Sequence, residues 1–129
     1  MNKRVTGIGG IFFKTQDPEK TKEWYNRHLG FNAGQYGGTF EWIQAEKPDQ
    51  KGTTAWSPFG ANTNYFEPSP HEYMFNYRVE NLTELLAELR KEGVEVVGEM
   101  QEFDYGKFGW ILDPEGRKIE LWEPVDEKL

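Results

Sequence analysis

Ile111-Leu112-Asp113-Pro114-Glu115-Gly116-Arg117-Lys118-Ile119-Glu120-Leu121-Trp122-Glu123-Pro124 is the stretch from which the rest of the chain can be read. Asp113-Pro114-Glu115-Gly116 is a turn, because proline presets one dihedral and glycine permits a positive one. The runs 108–112 and 118–123 on either side read as strands. On the second of them Glu120 stands between apolar Ile119 and Leu121, so period-two alternation turns it to the opposite face.

Working outward, Leu82, Leu85, Leu86 and Leu89 recur at helical spacing. Asn81-Leu82-Thr83-Glu84 is close to a capping box with Asn in place of Ser or Thr, and Gly93 ends the helix. Residues 73–79 read as a strand before this helix and 94–97 as a short strand after it, with a turn at 104–107. The first half has the same punctuation. Residues 5–13 form a strand, Asp17-Pro18-Glu19 starts a helix, and Leu29-Gly30 stops it. Residues 39–44 and 53–59 are strands separated by a turn at 47–52. Phe12-Phe13-Lys14 aligns with Asn76-Tyr77-Arg78, Asp17-Pro18 with Asn81-Leu82, and Leu29-Gly30 with Glu92-Gly93. The offset is about 64 residues, half the chain. The pattern predicts an α+β fold of two βαβββ modules in a single domain spanning 1–129, with helices outside curved mixed sheets that surround a cavity. Module 1 covers about 5–60, a Pro- and Asn-rich linker about 61–72, and module 2 about 73–124.

A chain of 129 residues can bury its own core without disulfides or metals. Fifteen Lys and Arg against 22 Asp and Glu give a net charge of −7. That opposes binding to nucleic-acid phosphates and to anionic lipid, and mildly favours cationic small molecules. The absence of cysteine excludes disulfides, thiolate metal sites and a cysteine nucleophile. No apolar run approaches the roughly 20 residues of a membrane-spanning helix. The opening MNKRVTGIGG lacks the long apolar stretch of a signal peptide, so a soluble cytoplasmic protein is expected. Aromatics reach 16 % and must supply much of the buried apolar surface.

The repeated module and the stretch 111–124 resemble the vicinal oxygen chelate superfamily, which includes glyoxalases, extradiol dioxygenases and bleomycin-resistance proteins. The family pattern F-x-D-P-x-G-x-x-I-E-L-x-x-P is met from Asp113 to Pro124, with Ile111-Leu112 before it in place of F-x. The resemblance implies four metal-ligand positions on four strands. Gly10 stands at the first, Met74 near the one on the second module's first strand, Trp56 or a neighbour at the third, and Glu120 at the fourth. Only Glu120 carries a ligand, so no metal or other cofactor is expected. An unconventional site from Glu120, His71 and Glu67, or a triad using His28 and His71 with Glu120, is the alternative.

The resemblance also implies a homodimer and a small-molecule partner. The expected function is a metal-independent binder of a small aromatic or cationic ligand. Trp42, Trp56, Phe59, Met74, Asn76, Arg78, Tyr105, Trp110 and Glu120 are its candidate ligand-binding residues. Trp122, Tyr65 and Phe66 are further aromatics shared between core and cavity. Arg78 is suited to a carboxylate or phosphate, and Tyr105 to a rim. The alternative is a glyoxalase-like lyase or isomerase with Glu120 as catalytic base, with or without a divalent metal.

Overall fold

The computed structural model describes residues 4–129. Residues 1–3, part of the stretch read as lacking a leader, lie outside the described residues. The elements run β1 (Val5–Thr15), α1 (Pro18–Leu29), β2 (Gly38–Gln44), β3 (Lys47–Gly60), β4 (Tyr73–Val79), α2 (Leu82–Lys91), β5 (Gln101–Phe103), β6 (Gly106–Leu112) and β7 (Lys118–Pro124), then a short 3-10 turn at Asp126–Lys128. The fold is α+β, as read from the sequence. Its strands form one mixed sheet in the order β2-β3-β1-β4-β7-β6-β5. The two halves join edge to edge where β1 pairs antiparallel with β4. Within each half a parallel pair, β1 with β3 and β4 with β7, flanks that seam.

Helix α1 starts as predicted: Asp17 accepts a hydrogen bond from the Lys20 N–H (3.1 Å), Pro18 opens the first turn, and Gly30 closes at φ 65°. Its buried Lys22 donates to the Gly34 and Gln35 carbonyls (both 3.2 Å) and so ties down the loop that follows. Helix α2 is capped differently from the sequence reading. Asn81 has φ 53° and its side chain makes no cap bond; Glu123 of β7 accepts the Leu82 N–H instead (2.8 Å).

The predicted turn at 47–52 is strand. The reversal is the two-residue turn Ala45-Glu46, and the register jumps from Gln44↔Lys47 to Ile43↔Lys51. Pro48, which has no N–H to donate, sits in the resulting bulge beside the edge strand. The predicted strand at 94–97 is reduced to a bridge from Val96 to Ile111, and the short strand β5 follows it. In the first half the corresponding element is a bridge between Gly34 and Gly37.

Both helices pack on one face, α1 against β3 and α2 against β6 and β7. There Val79 and Leu121 bury Leu82, Leu85 and Leu86. The other face has its own buried cluster: Phe12, Phe66, Met74 and Trp110. Phe66 comes from the segment read as a linker, yet it is 0 % exposed. Among the described residues no helix is long and apolar enough to cross a membrane.

Candidate functional site

On the face away from the helices, four strands line up one row of side chains. Ala55 of β3 pairs with Gly10 of β1, Gly10 with Asn76 of β4, and Asn76 with Glu120 of β7. Paired residues share a face, so these four positions look into the same space. Gly9 is the extra residue of a bulge between Ile8↔Tyr77 and Gly10↔Asn76. This register places Asn76, two residues beyond Met74, and Ala55, the neighbour of Trp56, beside Gly10 and Glu120. Met74 is buried with Phe12, Phe66 and Trp110. Trp56 faces the helices, in contact with Tyr25 and Phe31 at centroid distances of 4.6 and 4.8 Å.

The row does not fit a divalent metal. Ala55 and Gly10 offer no donor atom, and a Cβ on Gly10 would meet the Phe12 ring at 2.7 Å, so Phe12 fills the space into which a ligand there would project. Asn76 and Glu120 alone remain, short of the three or more protein donors such ions usually take. The alternative set of Glu120, His71 and Glu67 is not gathered either: among the described residues no three His, Asp or Glu side chains come together to hold an ion. His71 packs on Tyr73 and His28 on Trp24.

Glu120 is 2 % exposed, and both of its oxygens are in use. Oε1 accepts from Asn76 Nδ2 (2.7 Å), and Oε2 accepts from Trp110 Nε1 (2.9 Å) and from the Tyr65 hydroxyl. All three donors are neutral. Burial raises the Tyr65 pKa well above the usual phenol value, and the adjacent Glu120 charge adds to it. Lys118 lies over the Tyr65 and Trp110 rings (5.4 and 5.6 Å) and donates to the Tyr65 carbonyl (2.8 Å). Burial lowers its pKa, with the Glu120 charge opposing.

Above Asn76 and Glu120 is a cleft of about 280 Å³ walled by Phe12, Phe59, Tyr65, Tyr105, Phe108 and Trp122, with Gly9, Ala55 and Ser57 completing it. Among the described residues, two buried polar atoms of side chains that line it have no hydrogen-bond partner: Asn76 Oδ1 and Trp122 Nε1. A Cβ on Gly9 would come within 2.1 Å of that Asn76 oxygen, so only glycine lets the carbonyl lie against β1. Of the residues predicted for binding, Phe59, Asn76, Tyr105 and Glu120 line this cleft, and Trp110 and Met74 support it from below.

Trp42 and Arg78 belong to the next row. Arg78 is 2 % exposed, its guanidinium lying over the Trp42 and Trp122 rings (5.2 and 5.4 Å). Its Nη2 donates to both oxygens of Asp126 (2.6 and 2.8 Å). It borders a separate polar cleft of about 320 Å³ shared with Lys47, Glu80, Glu123 and Asp126.

The binding set predicted from the sequence leaves out Tyr65, Phe12, Phe108 and Trp122. For Trp122 a signal is available, since it follows Glu120 by two on the same strand. For Tyr65 the only hint is an aromatic pair inside a polar segment.

A chain of two pseudo-equivalent α+β halves, sharing one sheet and presenting a four-strand row of side chains on its open face, is of the vicinal oxygen chelate class. Residues 7–121 match the family described as the Glyoxalase/Bleomycin resistance protein/Dioxygenase superfamily, and the chain belongs to it. Solved structures agree in fold. A methylmalonyl-CoA epimerase from Mycobacterium tuberculosis is 20 % identical with a TM-score of 0.65, the match covering 99 % of this chain and 94 % of that one. A Streptomyces coelicolor methylmalonyl-CoA epimerase variant in complex with 2-nitronate-propionyl-CoA is 16 % identical with a TM-score of 0.69, covering 94 % and 99 %. A Legionella pneumophila structure described as an NAD-dependent benzaldehyde dehydrogenase is 13 % identical with a TM-score of 0.57, covering 89 % and 97 %. No curated protein matches the sequence.

Proposed function

We propose that this protein binds a small, flat organic ligand, aromatic or cationic, in the aromatic cleft above Glu120, without a metal. The observation that carries the reading is a single buried carboxylate surrounded by ring faces and neutral donors. Rings attract cations through their faces, and a carboxylate in a dry site adds to that attraction. The cleft volume of about 280 Å³ is at the lower end of ligand pockets, which suits a small occupant.

A second reading draws support from the direct Tyr65–Glu120 hydrogen bond, which sets a weak acid beside a carboxylate as proton transfer requires. It is the weaker one because three donors already occupy three of the carboxylate's roughly four lone-pair sites.

Calorimetric titration with N-methylquinolinium and with naphthoate tests the first reading. The cation is expected to bind roughly ten-fold or more tighter than the anion. Glu120→Gln is expected to remove most of that difference. Equal affinities, or no binding of either probe, would overturn it. Exchange of deuterium from solvent into a carbonyl-activated C–H, present in the wild type and lost in Glu120→Gln, would favour the second reading.

A further inference from the structure

One wall of the aromatic cleft is a ring that already holds the cleft's carboxylate. Tyr65 stacks on Phe59 with centroids 5.6 Å apart and planes at 11°, meets Trp110 edge-on at 6.3 Å, and gives its hydroxyl proton to a hydrogen bond with Glu120. Its backbone is fixed independently of that ring. Phe66 next to it is fully buried, and Lys118 holds the Tyr65 carbonyl. Tyr65 is 36 % exposed, and neither the Lys118–carbonyl bond nor the burial of Phe66 is made by its ring. What holds the ring in the cleft is its packing on neighbouring rings, the Lys118 ammonium over it at 5.4 Å and one O–H donated to a carboxylate, and a planar ligand ring with a donor can take over all three.

Resting on the ligand-binding reading above, we propose that Tyr65 is an internal occupant of the ligand seat. The ligand is then a planar ring carrying one O–H or N–H donor, which stacks on Phe59 and replaces the Tyr65 hydroxyl on Glu120. The chemistry of the seat narrows the class further. The groups on Glu120, from Asn76, Trp110 and Tyr65, all donate to it, so rings that present only acceptors, or a carboxylate of their own, are rejected there. The exchange trades a ring for a ring and an O–H for an O–H. Its net gain is therefore small, and the apparent affinity of the wild type is reduced by the fraction of molecules in which Tyr65 is in. Tyr65 thus sets both the specificity and the threshold of binding.

Phenol and toluene are the probes, because they share a ring and differ in the donor. They are titrated by calorimetry into the full chain as wild type, Tyr65→Ala and Tyr65→Phe. Tyr65→Ala vacates the seat and is expected to bind phenol roughly ten-fold or more tighter than the wild type. It is expected to prefer phenol over toluene by roughly ten-fold, the worth of a hydrogen bond to a charged acceptor. Tyr65→Phe keeps the ring and loses only its tether, so it is expected to fall between the other two; it also covers the case in which Tyr65→Ala does not fold. Phenol binding unchanged by either substitution would overturn the proposal, and so would toluene binding as tightly as phenol. If N-methylquinolinium binds the wild type while the Tyr65 variants leave phenol unaffected, this inference fails alone. If neither probe binds any form, the ligand-binding reading fails with it.

Discussion

The Tyr65 hydroxyl faces a carboxylate in a site that holds back water, and both conditions oppose its ionisation. An unfolded tyrosine loses its proton near pH 10, whereas the folded chain holds this one to higher pH. The folded-state pKa is the raised one, so its contribution to stability is complete below about pH 10 and is lost progressively as pH rises beyond it. Tyr65→Phe has no such proton. Urea unfolding between about pH 8 and 11 should show a steeper alkaline loss in the wild type than in Tyr65→Phe, and parallel curves would mean that the hydroxyl ionises freely. The partner in this bond, Glu120, was legible from the sequence, since alternation with Ile119 and Leu121 fixes its face. Its neighbours in the row were not. Which residue crosses Gly10 is set by strand pairing, with a bulge at Gly9 inserting one residue into β1. The residue beside Gly10 on β4 is therefore Asn76, two beyond Met74 on the same face, and spacing along the chain does not give it.

Helix α2 shows the same limit one level up. Its apolar spacing and its end at Gly93 were readable, because both are written within a few residues. Its cap was not, because Glu123 is 41 residues away from Leu82. Glu123→Ala is expected to destabilise the chain by about 1 kcal/mol, the usual worth of a cap acceptor. Asn81→Gly should be neutral or slightly stabilising, because Asn81 has φ 53° and contributes no cap bond. Urea midpoints of the two variants check the order, and a larger loss in Asn81→Gly would restore the local capping box. Strand β3 makes the point with a glycine. Trp42 lies flat across the sheet only because Gly52 opposite it has no side chain; a Cβ there would meet the indole at 2.4 Å. Gly52→Ala should push Trp42 off Arg78, cost about 1–3 kcal/mol as overpacking does, and change the tryptophan fluorescence of the native state. A native spectrum identical to the wild type would mean that the indole has room to spare.

At the scale of the whole molecule, the two halves are joined by backbone at the β1–β4 seam and by side chains at Arg78. Arg78 stands on β4 of the second half, yet one ring it stacks on, Trp42, and the carbonyl it reaches, Thr53 (3.4 Å), belong to the first. The other ring, Trp122, walls the aromatic cleft. Asp126, in the short turn after β7, supplies the counter-charge and also accepts from Gln44 of β2 (2.9 Å). One ion pair thus ties together β2, β4 and the C-terminal turn. Breaking it from one side leaves a buried guanidinium without its anion, which costs about 3–5 kcal/mol in a fully dry setting. Asp126 retains 21 % side-chain exposure, so water can screen part of that charge, and roughly 1–3 kcal/mol is the expected loss for Asp126→Asn. Removing the cation as well should recover part of it: the double variant Arg78→Met with Asp126→Asn is expected to be more stable than Asp126→Asn alone, because an apolar side chain between two indoles needs no partner. Because the pair spans the seam, the loss should also be shared. Far-UV circular dichroism and tryptophan fluorescence should shift together along one urea transition, as they do when a domain unfolds as a unit. Separation of the two probes in Asp126→Asn would show instead that the halves hold their structure independently once the pair is cut, and that the seam between β1 and β4 is not what makes the sheet one.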